Sequence, residues 1–385
     1  MSLAYKVPGV YREEEFQKPE VLLPTGIAGF VGVAKAKSDG NGNPLATRTQ
    51  PTALYHPEDF DFYFEKQSDS FLANAVNGFF QNGGVCCYIA YAETKAIEQL
   101  EKAVEVLAPL TDVDLIAAPD AVNFMEPETL LQFQQWLLNH CAEQGNRLAI
   151  LDIPIQDLQS APDDYLEKLV AIMSTAKTYG AIYYPWLKVN EGRPIPPCGH
   201  VAGIFARSDA KAGFFKAPAN EEIMGVFDLV PDVSFSNQEQ FNPLGINCIR
   251  ATPGRGIRLM GARTLSSEPE WRYINVRRLV ITLQRSIDAN MGWAVFEPNT
   301  LDLWVRIKRE LDTYLHSLWL RGALQGNTAE QAYYVKCDDE TNPPDILDNG
   351  GVRTEIGIAP IVPAEFVVVH IVHRQQLSTE AGGNV

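Results

Sequence analysis

Leu148-Ala149-Ile150-Leu151-Asp152 is the stretch from which the fold can be read. It is an unbroken apolar run closed by a carboxylate, the pattern of a short strand buried on both faces. Upstream, residues 128–144 carry Leu130, Leu131, Phe133, Trp136, Leu137 and Leu138 on one side and predict a helix. Before that helix, Leu115-Ile116-Ala117-Ala118-Pro119 predicts another strand. Downstream come a helix over 163–178 and a strand at Ala181-Ile182-Tyr183-Tyr184. Residues 198–205 then begin either a further helix or a tightly packed segment. Strands alternating with helices of this length predict an α/β fold whose sheet is parallel or mostly parallel, with both faces covered.

Toward the N-terminus, Thr25-Gly26-Ile27-Ala28-Gly29-Phe30-Val31-Gly32-Val33-Ala34 alternates small and large residues, as a strand under close packing does. A polar tip follows at 38–44. Phe71, Leu72, Ala75, Val76, Phe79 and Phe80 repeat at helical spacing and predict a helix over 70–80, which Asn82-Gly83-Gly84 ends. Residues 85–91 predict a buried strand holding Cys86 and Cys87 as small hydrophobes. Toward the C-terminus, strands are expected at 244–249 and 257–261. Pro269 is expected to open a long helix reaching 286, with Tyr273, Val276, Val280, Leu283 and Ile287 on one stripe. A second helix is expected over 301–320, its apolar stripe made by Trp304, Ile307, Leu311, Leu315 and Leu318. At about 100° per residue, Arg306 and Arg309 fall opposite that stripe and Lys308 on its flank. Late strands are expected at 335–337 and 366–372. No internal repeat or low-complexity tract is visible.

Both chain ends read as extended strands with no nearby partner in sequence. Tyr5-Lys6-Val7-Pro8-Gly9-Val10-Tyr11 runs into Glu13-Glu14-Glu15, and Phe366-Val367-Val368-Val369-His370-Ile371-Val372 is β-branched and apolar. Offered to a neighbouring copy, such ends link chains by strand addition, with Tyr5, Val7, Val10 and Tyr11 in one arm and Phe366, Val367, Val368, Val369 and Ile371 in the other. A chain that is donor and acceptor at once makes a lattice.

The 385 residues, 46% hydrophobic and 21% charged, suit two or three globular domains. Six cysteines (Cys86, Cys87, Cys141, Cys198, Cys248 and Cys337) form no CxxC pair, which points to reduced thiols in the cytosol. No signal-peptide pattern opens the chain, and no apolar run approaches the roughly 20 residues of a membrane helix. Assembly in the cytoplasm without direct membrane insertion is the expectation. A net charge of −16 argues against nucleic acid as a partner. The charge is uneven. Residues 250–321 hold twelve Lys and Arg against seven Asp and Glu. That segment is either one face meant for an acidic partner or a solvated basic helix pair.

Catalytic chemistry finds little footing. Asp152 at a strand tip could serve a hydrolase, but Ser160, Ser174, Ser208, Ser234 and Ser236 lack the small-residue turn of a nucleophile. His200 reads as a capping or core histidine. There is no GxxxxGK[ST] and no full GxGxxG, and Gly254-Arg255-Gly256 precedes a strand, so it reads as a turn. His370 and His373 would point to opposite faces of a strand. Asp338-Asp339-Glu340 lacks the alternating ligands and glycine of a calcium loop. No catalytic residue, cofactor or metal ligand is assigned.

Several segments together resemble the tail sheath proteins of contractile phages and related contractile injection systems. They are Pro8-Gly9-Val10-Tyr11, Thr25 to Gly32, Phe71 to Gly84, Gly261-Ala262-Arg263-Thr264-Leu265, Tyr273-Ile274-Asn275-Val276-Arg277-Arg278-Leu279 and Phe296-Glu297-Pro298-Asn299. Leu318-Trp319 with Gly322-Ala323-Leu324, Cys337-Asp338 with Thr341-Asn342-Pro343, and Pro363-Ala364-Glu365-Phe366-Val367-Val368 continue the series. The resemblance implies a linking arm at 1–20, the N-terminal part of a sheath body at 21–95 and a three-layer α/β middle domain of subtilisin-like layout, without its protease site, at 96–248. It further implies an α+β C-terminal domain facing an inner tube at 249–362 and a linking strand and tail at 363–385. Such subunits form six-membered rings stacked helically around the tube and contract to drive it into a target. The partners implied are further copies, the inner tube protein, and baseplate and terminal cap proteins. On this reading Arg306, Lys308 and Arg309 meet acidic tube residues. The alternatives are a non-contractile lattice protein and an α/β hydrolase.

Overall fold

A computed structural model describes residues 23–154, 175–189 and 192–366, with Tyr165, Glu167, Lys168 and Ala171 between. The arm residues Tyr5, Val7, Val10, Tyr11, Val367, Val368, Val369 and Ile371, and the histidines His370 and His373, lie outside the described residues, as does most of the helix expected over 163–178.

One nine-stranded sheet organises the body. Its strands are β1 (Ala28–Val33), β2 (Thr52–Leu54), β3 (Cys87–Ala92), β4 (Leu115–Ala117), β5 (Leu148–Asp152), β6 (Gly180–Tyr184), β7 (Glu221–Glu222), β8 (Ile246–Thr252) and β9 (Gly256–Leu259). They lie in the order β7-β9-β8-β6-β5-β4-β1-β3-β2. The six central strands, β8 to β3, are all parallel, and the outer strands add antiparallel edges. The mostly parallel α/β architecture expected from the alternation is therefore present. Every residue of β4 and β5 is buried, which is why these strands read as continuous apolar runs. The sheet takes strands from both sides of the 95/96 and 248/249 positions and shares one core running from Ala28 to Ile281.

The longer helices are α1 (Leu72–Gln81), α2 (Ile97–Val106), α3 (Pro127–Gln144), α4 (Cys198–Ala212), α5 (Phe235–Leu244), α6 (Ile274–Asn290) and α7 (Leu301–Leu320). Segment 198–205 thus resolves as the start of a helix. Helices α1 and α4 cross at backbone distance: a Cβ on Gly199 would sit 2.4 Å from the Ala75 carbonyl oxygen, and one on Gly203 2.4 Å from that of Phe79. Only glycine permits that approach.

Three expectations need correction. The helix expected from Pro269 is broken. A 3-10 turn over Pro269–Trp271 is followed by extended backbone at Tyr273, and α6 starts at Ile274 and continues to Asn290. The cause is pairing with a distant segment: Thr264 N–H donates to Arg272 O (2.8 Å) and Ile274 N–H to Ala262 O (3.0 Å), which holds 272–274 strand-like. Leu244, expected in a strand, ends α5, and Gly245 at φ 91° caps it. Val85 is 70% exposed and Cys86 half-buried, so the buried strand begins only at Cys87.

A second core gathers around α7, where Trp304, Ile307, Leu311, Leu315 and Leu318 are all buried as the stripe requires. Beside it stand β10 (Tyr333–Lys336) and β11 (Glu355–Ile358), an antiparallel two-stranded sheet. Helix α6 lies between the cores. Ile274 and Ile281 belong to the first, Leu279 and Leu283 to the second. Among the described residues no helix is long and apolar enough to cross a membrane.

Candidate subunit-contact sites

Part of the basic segment at 250–321 is turned inward. Arg278 is buried and donates to Asp209 Oδ1 (2.6 Å) and Asp114 Oδ2 (2.8 Å). Burial alone would lower its pKa, but the Asp209 and Asp114 carboxylates hold the guanidinium firmly charged. Arg277 stacks between Trp271 and Tyr179, at 3.8 and 4.3 Å, and donates to Thr178 Oγ1. Arg285 donates to the carbonyls of Thr111, Asp112 and Pro24. Arg263 grips Glu365 through two nitrogens. Four of the twelve cations, Arg263, Arg277, Arg278 and Arg285, are thus engaged within the body, a use that a charge count alone does not reveal.

Arg255 and Arg321 are exposed, as are Arg306, Lys308 and Arg309 on α7. Arg306 and Arg309 lie opposite the buried stripe, and Lys308, two residues from Arg306 and so nearly on the other side of the helix, lies on the flank and lines a cleft with Tyr333 and Tyr334. Arg306 is partly engaged at home, stacked 3.6 Å over Trp293 and paired with Glu310. Lys308 and Arg309 make no ion pair among the described residues.

Two further surfaces escaped the sequence reading. The sheet β10–β11 has, among the described residues, no third strand on either outer edge. The pair packs on the α7 core through Val335, Ile356 and Ile358, and its outer edges offer unpaired backbone groups to another chain. Next to α7, Phe296 is 102% exposed in a left-handed backbone conformation (φ 67°), and Val295, Leu301 and Val305 are exposed with it. Exposed apolar groups in that number mark a contact surface. The stretch 296–299 had drawn attention only as a pattern, because solvent exposure of an apolar residue leaves no mark in sequence. Phe366, assigned to the C-terminal strand, is exposed and lies in no strand within the described residues.

The carboxyl ends of the parallel strands, where open α/β sheets hold ligands, are filled by the chain itself. The strand order reverses between β1 and β4. There Asp120 is buried and accepts from Val33 N–H (2.7 Å), Phe71 N–H (2.5 Å) and Ser70 Oγ (2.7 Å). Burial raises its pKa to about 6 against the pull of those donors. Asp152, the last residue of β5, is raised to about 7 by burial and accepts from Cys198 N–H at 3.1 Å. The Cys198 thiol beside it is fully buried and its pKa pushed well up, first by burial and then by the Asp152 charge, so it is held as an unreactive thiol. His200 is buried, lowered by burial to about 4, and packs against Gly78. It forms the floor of a cleft of about 880 Å³ whose described lining contains no serine, cysteine, lysine or carboxylate. Asp338 caps its own turn, accepting from Glu340 N–H and Thr341 N–H. No group of three or more metal-ligating side chains occurs among the described residues.

This arrangement has inward arginines, an exposed basic helix face, an unfinished two-stranded sheet and a strand-end crevice closed by its own side chains. Comparison with known proteins gives the family. Residues 95–265 match the phage tail sheath protein central domain and residues 266–374 the phage tail sheath C-terminal domain. The chain belongs to the phage tail sheath protein family. A prophage major tail sheath protein of Pseudomonas aeruginosa (strain UCBPP-PA14) is 28% identical over 237 residues, 58% of this chain and 57% of that protein. The chain thus spans little more than half of that sheath protein's length. Among solved structures, a chain of the anti-feeding prophage baseplate superposes with a TM-score of 0.76 at 28% identity, covering 97% of this sheath chain and 100% of the other. The anti-feeding prophage helical sheath in its contracted state gives 0.74 at 27% identity over 96% and 100% of the two chains.

Proposed function

We propose that the chain is the sheath subunit of a phage tail or phage-tail-like injection device, assembled in the cytoplasm as a helical stack of six-membered rings around an inner tube. On triggering, the stack shortens and drives the tube into a target. The observation that carries this reading is the near full-length likeness to a helical sheath solved in a contracted state. The baseplate likeness, from a 6-fold symmetrised particle, supports ring symmetry and baseplate contact.

The open-edged sheet β10–β11 gives the arms of neighbouring copies an acceptor, since added strands would pair its free edges. The exposed sides of α7 that carry Arg306, Lys308 and Arg309 suit an acidic inner tube, with the apolar group at Phe296 beside them for neighbouring copies. The subunit does structural work and no chemistry: the strand-end carboxylates are committed to backbone amides, and the stroke draws on better contacts between subunits in the shortened lattice.

Negative-stain microscopy of the purified chain with its tube partner tests the reading. Two tubular forms of different diameter are expected. A single form would favour a static lattice, and no polymer at all would sink the proposal. Deleting residues 1–15 is expected to abolish long polymers and leave the monomer folded by circular dichroism.

A further inference from the structure

Four consecutive residues where the chain enters the body are each tied to helix α6 or to a carboxylate that α6 holds. Pro24 O accepts from Arg285 Nη2 (3.1 Å). Thr25 donates its hydroxyl to Asp209, a partner of Arg278. Gly26 N–H and Ile27 N–H donate to Asp114 at 3.1 and 2.8 Å, and Asp114 is bound in turn by Arg278. Where the chain leaves the body, Asn275 Nδ2 donates to Ile361 O at 2.7 Å, and Arg263 holds Glu365 with Nε at 2.9 Å from Oε1 and Nη2 on Oε2. Arg263 is fastened to the residue that enters α6 through its pairing with Tyr273.

Arg278 and Arg285 are seven residues apart and therefore on one face of the helix, about 10 Å apart along its axis. Asn275 lies one turn before Arg278. Both chain exits are thus fixed to a single helix, and that helix is buried between the two cores. Hydrogen bonds to charged groups that are shielded from water are the strong ones, because no solvent competes for them. Arg263 and Glu365 are mostly buried, and Arg278, Asp114 and Asp209 almost wholly so.

We infer that α6 is a tension strut: Arg285, Arg278 and Asn275, with the Arg263–Glu365 clamp, carry a pull on one arm to the other in parallel with the nine-stranded sheet, which Asp114 joins at the start of β4. This rests on the reading that the arms link neighbouring copies. It adds which residues bear the pull when the lattice rearranges. Strand β1 lies immediately after the N-terminal clamp. Without Arg285 and Asp114, tension at residue 24 would act first on β1 and strip the centre of the sheet.

The full chain, pulled in an optical trap through tags at its two ends, tests the strut without any polymer. Glu365→Gln keeps the side chain's shape and removes the charge. Arg285→Lys keeps charge but cannot reach three carbonyls at once. Each is expected to shorten the lifetime of the folded body under constant force roughly tenfold or more. Arg306→Gln, on the exposed α7 face, is expected to leave it unchanged. Equal lifetimes for wild type, Glu365→Gln and Arg285→Lys would overturn the strut. In assembled sheaths the same two variants should polymerise normally and break apart on triggered shortening. Absence of polymers from the wild type would reject the sheath reading and leave the trap result standing.

Discussion

Arg278 Nη2 lies 2.8 Å from Asp114 Oδ2 across 164 positions of sequence. The pair is buried, and Asp209 completes it with oxygens 2.6 and 2.5 Å from the same guanidinium. One cation therefore stands between two carboxylates from different elements, Asp114 just before β4 and Asp209 near the end of α4. Asp114 also takes the Gly26 and Ile27 amides, so its charge is committed on two sides. Burial raises the pKa of Asp209, with Arg278 opposing it.

The three members should not be equivalent. Arg278→Ala strands two buried carboxylates and is expected to cost about 3–5 kcal/mol or to abolish folding. Asp209→Asn leaves Asp114 to balance the arginine and should cost roughly 1–3 kcal/mol. Asp114→Asn should be the worse of the two carboxylate changes, because its amide nitrogen must face either the Ile27 amide or both Arg278 and the Gly26 amide. Urea-unfolding midpoints give the ranking, and equal midpoints for the Asp114 and Asp209 variants would refute it.

Asp152 predicts how stability responds to pH. Its folded pKa of about 7 lies above the ordinary 3.8, so between those values the folded state binds more protons than the unfolded chain. Its contribution is fully favourable below about 3.8 and is lost as the pH rises through about 7. Asp152→Asn keeps an acceptor for the Cys198 amide and removes the charge. It should gain stability relative to wild type at pH 8, by up to a few kcal/mol, and lose that advantage at pH 4. His140 and His200, both lowered by burial to about 4, act in the opposite sense, costing stability as the pH falls from 6.5 toward 4. They are unchanged in the variant, so the difference between the two unfolding curves isolates Asp152. A difference that does not vary with pH would count against a buried, protonated carboxyl.

The crossing of α1 and α4 makes a steric prediction. Gly199→Ala and Gly203→Ala place a methyl against backbone, which cannot rotate away, and each should cost about 1–3 kcal/mol or more. Gly292→Ala, with nothing within 4 Å of the new methyl, is the control and should be close to neutral. Thermal melts of the three variants decide it, and a neutral Gly203→Ala would mean the helices can separate freely.

The parts of this molecule that sequence revealed are those with a local cause. Strands β4 and β5 are buried on both faces and must be apolar throughout, and α7 packs one stripe against one core, so both announce themselves. Helix α6 hid its true start because its boundary is set by Ala262 and Thr264, which reach across to Arg272 and Ile274. β10 and β11 are short and half-exposed, and only the first was visible. The inward arginines were read as surface charge because their partners lie far along the chain, at Pro24, Asp114, Asp209 and Glu365. The unfinished edges of β10–β11 are a property of pairing, which no single segment displays.

The basic face of α7 gives the most direct functional prediction. Exposed ion pairs are individually worth about 0–1 kcal/mol and are screened by salt, which suits contacts that a shortening sheath must break. Arg306 already stacks on Trp293 and pairs with Glu310, so it has less to offer a partner than its neighbours. Lys308→Glu with Arg309→Glu should therefore weaken co-assembly on the inner tube nearly as much as the triple change with Arg306→Glu. Both sets should leave the monomer's melting temperature within a degree or two, because none of the three residues is buried. Raising salt from about 50 to 500 mM should weaken the wild-type association toward that of the double variant. Co-sedimentation of sheath with tube measures each comparison, and normal extended sheaths from the triple variant would remove this helix face from the tube interface.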